Sequence, residues 1–392
     1  MLPMTSPVRI LNHNPAMSSS RNWAGERGRQ LVAAMRGAGA NVEAVPAFES
    51  GKSSGARRRG WKRPTWEHLP CQTYGAAIRL SLILRGTLNS ILWTWRLWRK
   101  LSDRPPDVVL ARYRKLEWTP LLVSRLLRRP LVLEVHSPAA IEHVLLGGRR
   151  SRYLTWMDRQ MFRRADLVWV HTPELEQLVT QVGHDGGRIR LIPFGIEDPG
   201  VRANPASTTS GVDVAYVGSF FPWHGVSELV VAFARASEEM PRMRLTMMGD
   251  GIARRECEEL AARLGLDDRV VFTGWLQRSE MYERLRRSQV GVAPYQDTKY
   301  DYYQPVKILD YEMAGLPIVA SAVGHIPAMV ADGESGLLVP PGDVDGLADA
   351  LVRLANNPGL RASMGSMARR RAQSINDTAA AVVKICESAA LT

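Results

Sequence analysis

At 392 residues, with 45% hydrophobic and 23% charged residues, the chain is too long for one ordinary domain and has the composition of a soluble globular protein. Its three cysteines, Cys71, Cys257 and Cys386, are too few and too far apart for a disulfide framework or a cysteine metal site, which favours a reducing cytoplasm. The net charge of +12 is uneven: residues 1–200 hold 31 Lys and Arg against 16 Asp and Glu, whereas residues 201–392 hold 20 against 23, so we expect the first half to meet an anionic partner.

The first forty residues predict a strand and a helix. Residues 1–10 lack the apolar core of a secretory signal peptide. Val8 to Leu11 has the composition of a buried strand, and Gln30 to Met35 lies in a helix that ends near Gly37. The loop between them is rich in serine and glycine and includes Trp23.

A basic segment follows at residues 50–66. It is rich in glycine and serine and has no hydrophobic pattern, which is typical of a surface loop. Its densest run of charge is Arg57, Arg58 and Arg59.

Residues 76–100 predict an aromatic helix with cationic ends. Trp93, Trp95 and Trp98 lie among arginines whose charges exclude a comfortable membrane span. One interpretation is a helix that lies in the interface of an anionic bilayer, where each nearby Lys or Arg adds about 1 kcal/mol. The other is a domain helix whose apolar face is ordinary core.

Two buried strands come next, at Asp107 to Ala111 and at Leu131 to Val135. In a parallel sheet the carboxyl ends of the strands meet at one edge, where ligands bind. Arg112 and His136 follow these strands and are therefore candidate site residues. Glu134 points to the other side of its strand from Val135, and it could either contact a substrate or pair with an arginine. His171 ends the following strand and is expected to line the same edge.

Residues 200–211, GVRANPASTTSG, have the small, polar composition of an interdomain linker. Val212 to Val217 then predicts the first strand of a second sheet, and a loop from Gly218 to Gly225 precedes a helix. Because unpaired backbone amides and the helix dipole both favour anions, this loop is a candidate phosphate site.

The rest of the second half repeats the strand and helix pattern. Arg244 to Met248 predicts a strand that ends at Gly249, and Val270 to Leu276 contains another with Gly274 and Trp275 at its end. The last helix, roughly Asp377 to Ser388, is expected to cross back to the first domain.

The most informative stretch runs from residue 290 to 327. Two apolar strands, Val290 to Ala293 and Ile318 to Ala320, flank a polar, aromatic loop and a helix from about Pro305 to Ala314. Lys307 and Asp310 are three residues apart and share one helix face, which offers a cation for phosphate and a carboxylate for sugar hydroxyls.

This stretch resembles the signature of the family 4 retaining glycosyltransferases. Residues 305–317 read PVKILDYEMAGLP, and the family has proline, an apolar residue, lysine, two apolar residues, glutamate and Tyr-Met-Ala-Ala-Gly before a proline. Residues 192–196, IPFGI, are similar to the family's usual Ile-Pro-Asn-Gly-Val. The resemblance extends from about residue 8 to 375 and is strongest over 190–345.

The resemblance implies an α/β protein of the GT-B class, with two Rossmann-like domains facing across a cleft. We expect an acceptor domain at 1–199, a linker at 200–211, a nucleotide-sugar domain at 212–376 and a returning helix at 377–392. The implied reaction needs no metal or other cofactor. It retains the anomeric configuration, and its donor is a nucleotide diphosphate sugar, with UDP or GDP the favoured nucleotides.

The resemblance also assigns residues to roles. His136, Lys307 and Asp310 are expected at the centre of sugar transfer. The residues expected to bind the donor are Gly218, Ser219, His224, Gly225, Gly249, Gly274, Trp275, Tyr302, Gly324, His325 and Ile326. Those expected on the acceptor side are Trp23, Arg112, Glu134 and His171.

The sequence departs from the family pattern at two places. Ser219 and His224 stand where most of the family has arginine and lysine, although one branch also has Trp-His-Gly here. The family's two glutamates, separated by seven residues, are replaced by Tyr302 and Asp310, and Asp301 is the nearest carboxylate that could substitute for the first. Tyr302 cannot act as an anionic acceptor for sugar hydroxyls, so the donor sugar is held differently or activity is reduced.

Three functions are consistent with these observations. The first is a cytoplasmic glycosyltransferase, peripheral on the inner face of the plasma membrane, that builds a polysaccharide or glycoconjugate on a sugar or lipid-linked acceptor. The second is a catalytically weak relative that serves as a scaffold or partner subunit. The third, a nucleic-acid-binding protein, rests only on the basic first half; no nucleic-acid module is recognisable, so we expect no nucleic-acid partner.

Overall fold

Two parallel β-sheets of six strands each organise the chain, which a computed structural model describes at residues 7–13, 23–45, 76–145, 148–183, 186–207 and 211–391. Side chains at 23–25, 76–87 and 89 fall outside this description. One unit comprises Met1–Phe194 with Ile375–Thr392, and the other comprises Gly195–Ser374. The predicted fold class, two α/β domains with parallel sheets, is confirmed.

The first unit alternates strands and helices. Its strands are β1 (Arg9–His13), β2 (Asn41–Val45), β3 (Val108–Arg112), β4 (Leu131–Glu134), β5 (Leu167–Val170) and β6 (Ile189–Leu191). Its helices are α1 (Trp23–Gly37), α2 (Ala76–Leu101), α3 (Thr119–Leu127), α4 (Ala139–Leu145), α5 (Arg152–Arg164) and α6 (Pro173–Gln181).

The second unit follows the same plan. Its strands are β7 (Asp213–Val217), β8 (Arg244–Met248), β9 (Val270–Gly274), β10 (Val290–Ala293), β11 (Ile318–Ser321) and β12 (Gly336–Val339). Its helices are α7 (Val226–Glu239), α8 (Arg254–Arg263), α9 (Arg278–Arg287), α10 (Val306–Ala314), α11 (Ile326–Met329), α12 (Val344–Asn356) and α13 (Pro358–Arg371). The last helix, α14 (Ile375–Ala390), packs on α1, β3 and β4 of the first unit.

The boundary between the units differs from the predicted linker at 200–211. The Ala203 amide donates to the carbonyl of Ala314, 2.9 Å away, and the buried Arg361 donates to the carbonyls of Pro205 and Ser207. Residues 200–207 are therefore hydrogen-bonded to the second unit, and their role as an interdomain linker stays a prediction. A buried guanidinium that needs carbonyl acceptors is the reason for the bonds to Pro205 and Ser207, and composition alone does not show it.

Strand order places a ligand crevice in each sheet. The first sheet runs β2-β1-β3-β4-β5-β6, and the second runs β12-β11-β10-β7-β8-β9, the order of a dinucleotide-binding fold. In each sheet, successive strands are added first on one side of the starting strand and then on its other side. This switch point lies between β1 and β3 in the first sheet and between β7 and β10 in the second. In open α/β sheets, ligands bind outside the carboxyl ends of the strands at such a point.

Tyr311 fixes α10 on the second sheet. A Cβ at Gly291 would lie 2.5 Å from the Tyr311 ring, so only glycine lets this ring lie against β10. The Tyr311 hydroxyl accepts from the Val217 amide at 2.9 Å and donates to the Val292 carbonyl at 3.0 Å. The register between β7 and β10 extends only to Gly291, and the hydroxyl joins the two strands beyond it.

Glu312, the next residue of α10, is buried with 3% of its surface exposed. Burial raises its pKa to about 8, although the charge of Arg371 acts in the opposite direction. A carboxyl whose pKa is higher in the folded than in the unfolded state makes its full contribution to stability below the unfolded-state pKa of about 4.3. This contribution to the free energy of unfolding is lost as the pH rises through the folded-state pKa.

We expect Glu312→Gln to raise the melting temperature at about pH 9 and to change it little at about pH 5. Each unit of pKa shift corresponds to about 1.4 kcal/mol, so the gain at high pH should be of the order of a few kcal/mol. Thermal unfolding across this pH range measures it, with the exposed Glu334→Gln as the control. A difference that does not depend on pH would contradict the assignment.

Candidate functional site

Lys307 lies at the switch point of the second sheet. It is the second residue of α10, and only 4% of its surface is exposed. Its Nζ donates to the Tyr216 hydroxyl at 3.1 Å and lies 4.2 Å and 4.5 Å from the ring centroids of Tyr216 and Tyr295. A Cβ on Gly218 would be 3.1 Å from Lys307 Cε, so glycine at the end of β7 leaves room for the lysine.

The ammonium group of Lys307 is buried without a negative partner. Among the described residues, none forms an ion pair with it, and burial lowers its pKa well below the usual range. Aromatic faces stabilise a cation in part, but an anion at this place would restore the charge and pair with it. Tyr216 was not predicted as a site residue, because an aromatic residue within a buried strand usually indicates core. Tyr295, which lies in the loop after β10, was not predicted either.

His224 lies beside the same lysine but carries no charge. Its Nδ1 is 2.7 Å from the Ser219 carbonyl, which only accepts, so we assign the ring proton to Nδ1. Burial and the nearby Lys307 lower the pKa of His224 well below its usual value. His224 therefore does not replace the positive charge that the resembled family has in this loop.

The glycines of the second unit allow close packing of its loops. A Cβ on Gly225 would overlap the Pro294 carbonyl, and one on Gly249 would overlap the Gly218 carbonyl. The Gly218 amide donates to Met248 and the Gly249 amide donates to Gly274. The Gly218 amide is thus already used within the sheet, which corrects the expectation that it is available to a phosphate group.

Asp310 is fully buried on α10 and accepts from the Tyr282 hydroxyl of α9 at 2.7 Å. Tyr302, at the position of the family's first glutamate, is buried beside the Tyr303 ring. Asp301 accepts from the amide and hydroxyl of Thr298, so the nearest carboxylate is already engaged.

The remaining predicted donor residues surround the carboxyl edge of the second sheet. Gly324 has a positive φ of 53°, and a Cβ there would overlap the Asp301 carbonyl. His325 precedes α11 and is half-buried, whereas the Ile326 side chain belongs to the core. Trp275 follows β9 and is exposed. Their roles in donor binding stay predictions.

In the first unit, Glu134, His136 and His171 converge at the ends of β4 and β5. Glu134 Oε1 lies 2.6 Å from His136 Nε2 and 3.6 Å from His171 Nε2. The two Nε2 atoms are 3.3 Å apart. Glu134 is buried, while 32% of the His136 side chain is exposed.

Electrostatics assigns the protons in this cluster. Burial would raise the pKa of Glu134, but the hydrogen bond from His136 and the charge of Arg112 hold it well below the usual range. Burial and Arg112 lower the pKa of His136, so at neutral pH a neutral histidine faces an ionised carboxylate. His136 then donates from Nε2, and its Nδ1 is left as an acceptor. Of the two alternatives for Glu134, the structure places it against histidines, with Arg112 acting through its charge.

Two further polar groups in the first unit were missed by sequence reasoning. His13, the last residue of β1, is buried and lies 2.7 Å from the Glu117 carboxylate, across the switch point. Asp158 of α5 accepts from Tyr113 and from the Ala139 and Ala140 amides, so it fixes the start of α4 behind His136. A histidine at the end of the first strand was the available signal for His13.

Helix α2 buries one face and exposes another. Ser90, Thr94, Leu97 and Leu101 are buried, and α2 packs on α3. The exposed hydrophobic residues of α2 are Leu88, Ile91, Leu92, Trp95 and Trp98, whereas Trp93 is half-buried. No helix in the described part of the chain is long and apolar enough to cross a bilayer.

Several predicted residues cannot be placed. Trp23 begins α1, but its side chain lies outside the described residues, as do Arg57, Arg58 and Arg59. Arg112 is the last residue of β3, at the edge that carries the histidine cluster.

Two family models match the chain. Residues 24–195 match the model described as Glycosyl transferase 4-like domain, and residues 211–357 match the one described as Glycosyl transferases group 1. Together these matches cover most of both units.

One curated protein is similar in sequence, and two solved structures are similar in fold. The D-inositol 3-phosphate glycosyltransferase of Kribbella flavida is 29% identical over 290 residues, which are 68% of this chain and 67% of the relative. The structure of sucrose-phosphate synthase from Thermosynechococcus elongatus covers 97% of this chain and 98% of its own, with a TM-score of 0.75 and 20% identity. The match to the structure of Anabaena HepE in complex with UDP-glucose covers 97% of this chain and 100% of HepE, with a TM-score of 0.71 and 16% identity.

We expect Gly225→Ala to lower the free energy of unfolding by about 1–3 kcal/mol more than Gly333→Ala. Both glycines have a positive φ, of 64° and 75°, but a Cβ on Gly225 would overlap Pro294, whereas one on Gly333 would meet nothing within 4 Å. Urea unfolding compares the two variants. Equal destabilisation would show that the contact between the loop and β10 is not tight.

Proposed function

Because the chain belongs to the group 1 glycosyltransferases, we propose that it transfers a sugar from a nucleotide diphosphate sugar to a glycan, glycolipid or similar acceptor, with retention at the anomeric carbon. The observation that carries this proposal is Lys307. A buried lysine amino group that forms no ion pair among the described residues, at the switch point of a parallel sheet, suits a diphosphate leaving group that would restore its charge.

The proposed reaction uses protein groups where other transferases use a metal. Lys307 neutralises the charge that develops on the departing diphosphate, and Tyr216 and Tyr295 hold its ammonium in place. The backbone at the start of α7 is proposed as a second element that binds the diphosphate, because the first turn of a helix favours anions. If the acceptor hydroxyl passes its proton to the phosphate oxygen, no separate general base is needed.

The first unit is proposed to bind the acceptor. His136 presents its Nδ1 as a hydrogen-bond acceptor, and Glu134 holds the ring in this tautomer. Arg112, on the same edge, is suited to a negative or hydroxyl-rich acceptor. HepE was solved with UDP-glucose, which makes UDP-sugars the first donors to test, followed by GDP-sugars.

The enzyme is further proposed to work on the cytoplasmic face of the plasma membrane. The exposed side of α2 is apolar and aromatic, and 52% of Trp95 is accessible, with the Arg99 guanidinium 5.4 Å from its ring. Such a helix suits the interface of an anionic bilayer. This supports an acceptor that is attached to lipid.

A second group of aromatic and basic side chains lies on α5 and on the segment before α3. The Trp118 ring lies 5.6 Å from the exposed Trp156 ring of α5, and the Trp118 amide donates to Ser90 of α2. A surface depression of about 410 Å³ on α5 is lined by Arg150, Arg152, Thr155, Trp156 and Arg159. Arginine beside exposed tryptophan is a combination that anionic headgroups favour.

A second candidate function is a catalytically weak homologue that serves as a scaffold or partner subunit. The position of the first family glutamate holds the buried Tyr302, and the shorter Asp310 is bonded to Tyr282. A screen of UDP, GDP, ADP and dTDP sugars by thermal shift and mass spectrometry separates the two functions. A selective shift with loss of sugar supports the enzyme, and no response with acceptor and vesicles present supports the scaffold.

We expect Lys307→Met to lower kcat/KM by roughly 100-fold or more, because one charged group that stabilises the leaving diphosphate is lost while the buried stem is kept. The melting temperature should not fall, since a buried amino group without an anionic partner among the described residues is replaced by an apolar side chain of similar length. The exposed Lys299→Met is the matched control. Near-normal turnover of Lys307→Met would remove the phosphate site from this place.

We expect the double variant Trp95→Ser, Trp98→Ser to bind anionic vesicles roughly tenfold or more weakly, because two large apolar side chains no longer enter the interface. Co-sedimentation with anionic and neutral vesicles measures the affinity. Leu264→Ser, at an exposed position of the second unit, is the control. Unchanged sedimentation of the double variant would show that this face does not meet the bilayer.

A further inference from the structure

Glu134, His136 and His171 offer one oxygen and two nitrogen atoms to a single point. The three separations between Glu134 Oε1 and the two Nε2 atoms are 2.6, 3.6 and 3.3 Å. A triangle with these sides has a centre about 1.9 Å from every corner. A point about 0.8 Å above that centre lies about 2.0–2.1 Å from all three atoms, which is the bond length of Zn²⁺ to histidine nitrogen and close to that to carboxylate oxygen.

His171 is held in the tautomer that a metal ligand needs. Its Nδ1 lies 3.2 Å from the Ile192 carbonyl, which can only accept, so Nδ1 carries the proton and Nε2 carries the lone pair. Metal-binding histidines are usually oriented by this kind of bond to a backbone carbonyl. The rings of Trp169 and Phe194, at 4.9 and 5.3 Å, fix the plane of the imidazole.

The cluster also leaves one side open. Glu134 and His171 are buried, but the His136 side chain is 32% exposed, so an ion has a path to the three atoms and a position for a fourth ligand. Two histidines and one carboxylate with an open position suit a divalent transition metal better than Mg²⁺ or Ca²⁺.

We propose that Glu134, His136 and His171 bind one divalent cation of the Zn²⁺ type, and that the bound ion withdraws His136 from sugar transfer. On binding, the metal bonds to His136 Nε2, and the proton of this nitrogen moves by exchange with solvent to Nδ1, so that the imidazole stays neutral. The binding site stands on the geometry alone, whereas the inhibition rests on the proposed function. The ion is thus an inhibitor of the transferase and not its cofactor.

Arg112 opposes the ion. Its positive charge acts on both Glu134 and His136, and a second cation at the cluster would be repelled by it. This sets the expected direction of a charge-removing variant: Arg112→Gln should bind the ion more tightly than the wild type. A role of the cluster in hydrogen bonding alone gives no reason for that change.

The test uses the full chain without a histidine tag, treated with EDTA and dialysed. Co²⁺ is added as the spectroscopic probe, and calorimetry with Zn²⁺ gives the stoichiometry. We expect one ion per chain, visible absorption bands of four-coordinate Co²⁺, and at least tenfold weaker binding in His136→Gln and His171→Gln. His136 is partly exposed, so His136→Gln keeps the test valid if the buried His171→Gln does not fold. His143→Gln, which changes a histidine of α4 outside the cluster, should bind like the wild type.

Two further measurements distinguish the binding of Zn²⁺ from its effect on sugar transfer. Zn²⁺ should raise the melting temperature of the wild type but not that of His136→Gln, a readout that needs no turnover. Transfer by the EDTA-treated enzyme should be inhibited by Zn²⁺ and recover with EDTA. Absence of binding, or equal binding by wild type and His136→Gln, would overturn the site. Full transfer with the ion bound would overturn the inhibition, and a chain that binds the ion without any transferase activity would count against the proposed function only.

Discussion

The position of the candidate donor site depends on the contact between Tyr311 and Gly291. Because Gly291 of β10 has no side chain, the Tyr311 ring can lie against this strand. The Tyr311 hydroxyl then joins β10 to β7 beyond the point where the two strands pair. This contact fixes the rotation of α10 about its axis. Since Lys307 lies one turn earlier on the same helix, the contact also brings Lys307 to the end of β7.

The two units stabilise buried charge in opposite ways. The second unit surrounds the amino group of Lys307 with tyrosine rings and a hydroxyl, and no described residue forms an ion pair with it. The first unit surrounds the carboxylate of Glu134 with the imidazoles of His136 and His171 and with the charge of Arg112. A buried charge without full compensation is costly, and such sites are where ligands gain most from binding. Both sites lie where parallel strands end, and no neighbouring strand among the described residues covers this edge of the sheet.

Helix α2 leaves large aromatic side chains outside the core of its unit. Ser90 and Thr94 lie on its buried face, where the Thr94 hydroxyl donates to the Ser90 carbonyl, whereas Trp95 and Trp98 are exposed. Exposed tryptophan beside arginine has a cost in water that a bilayer interface would remove. The charge asymmetry of the sequence and the exposed face of this helix are both consistent with the proposed anionic bilayer partner.

The sequence by itself determined the strands, the order of helices and the location of the glycine loops, because each depends on neighbours within a few residues. The apolar runs of β4 and β10 and the motif around Lys307 are examples. Only the tertiary structure decided which side chains meet. The Lys307 and Tyr216 contact joins residues 91 positions apart, and the His13 and Glu117 contact joins residues 104 positions apart. Such contacts depend on strand register and helix rotation, which are set by packing across the whole sheet and leave no local pattern in the chain.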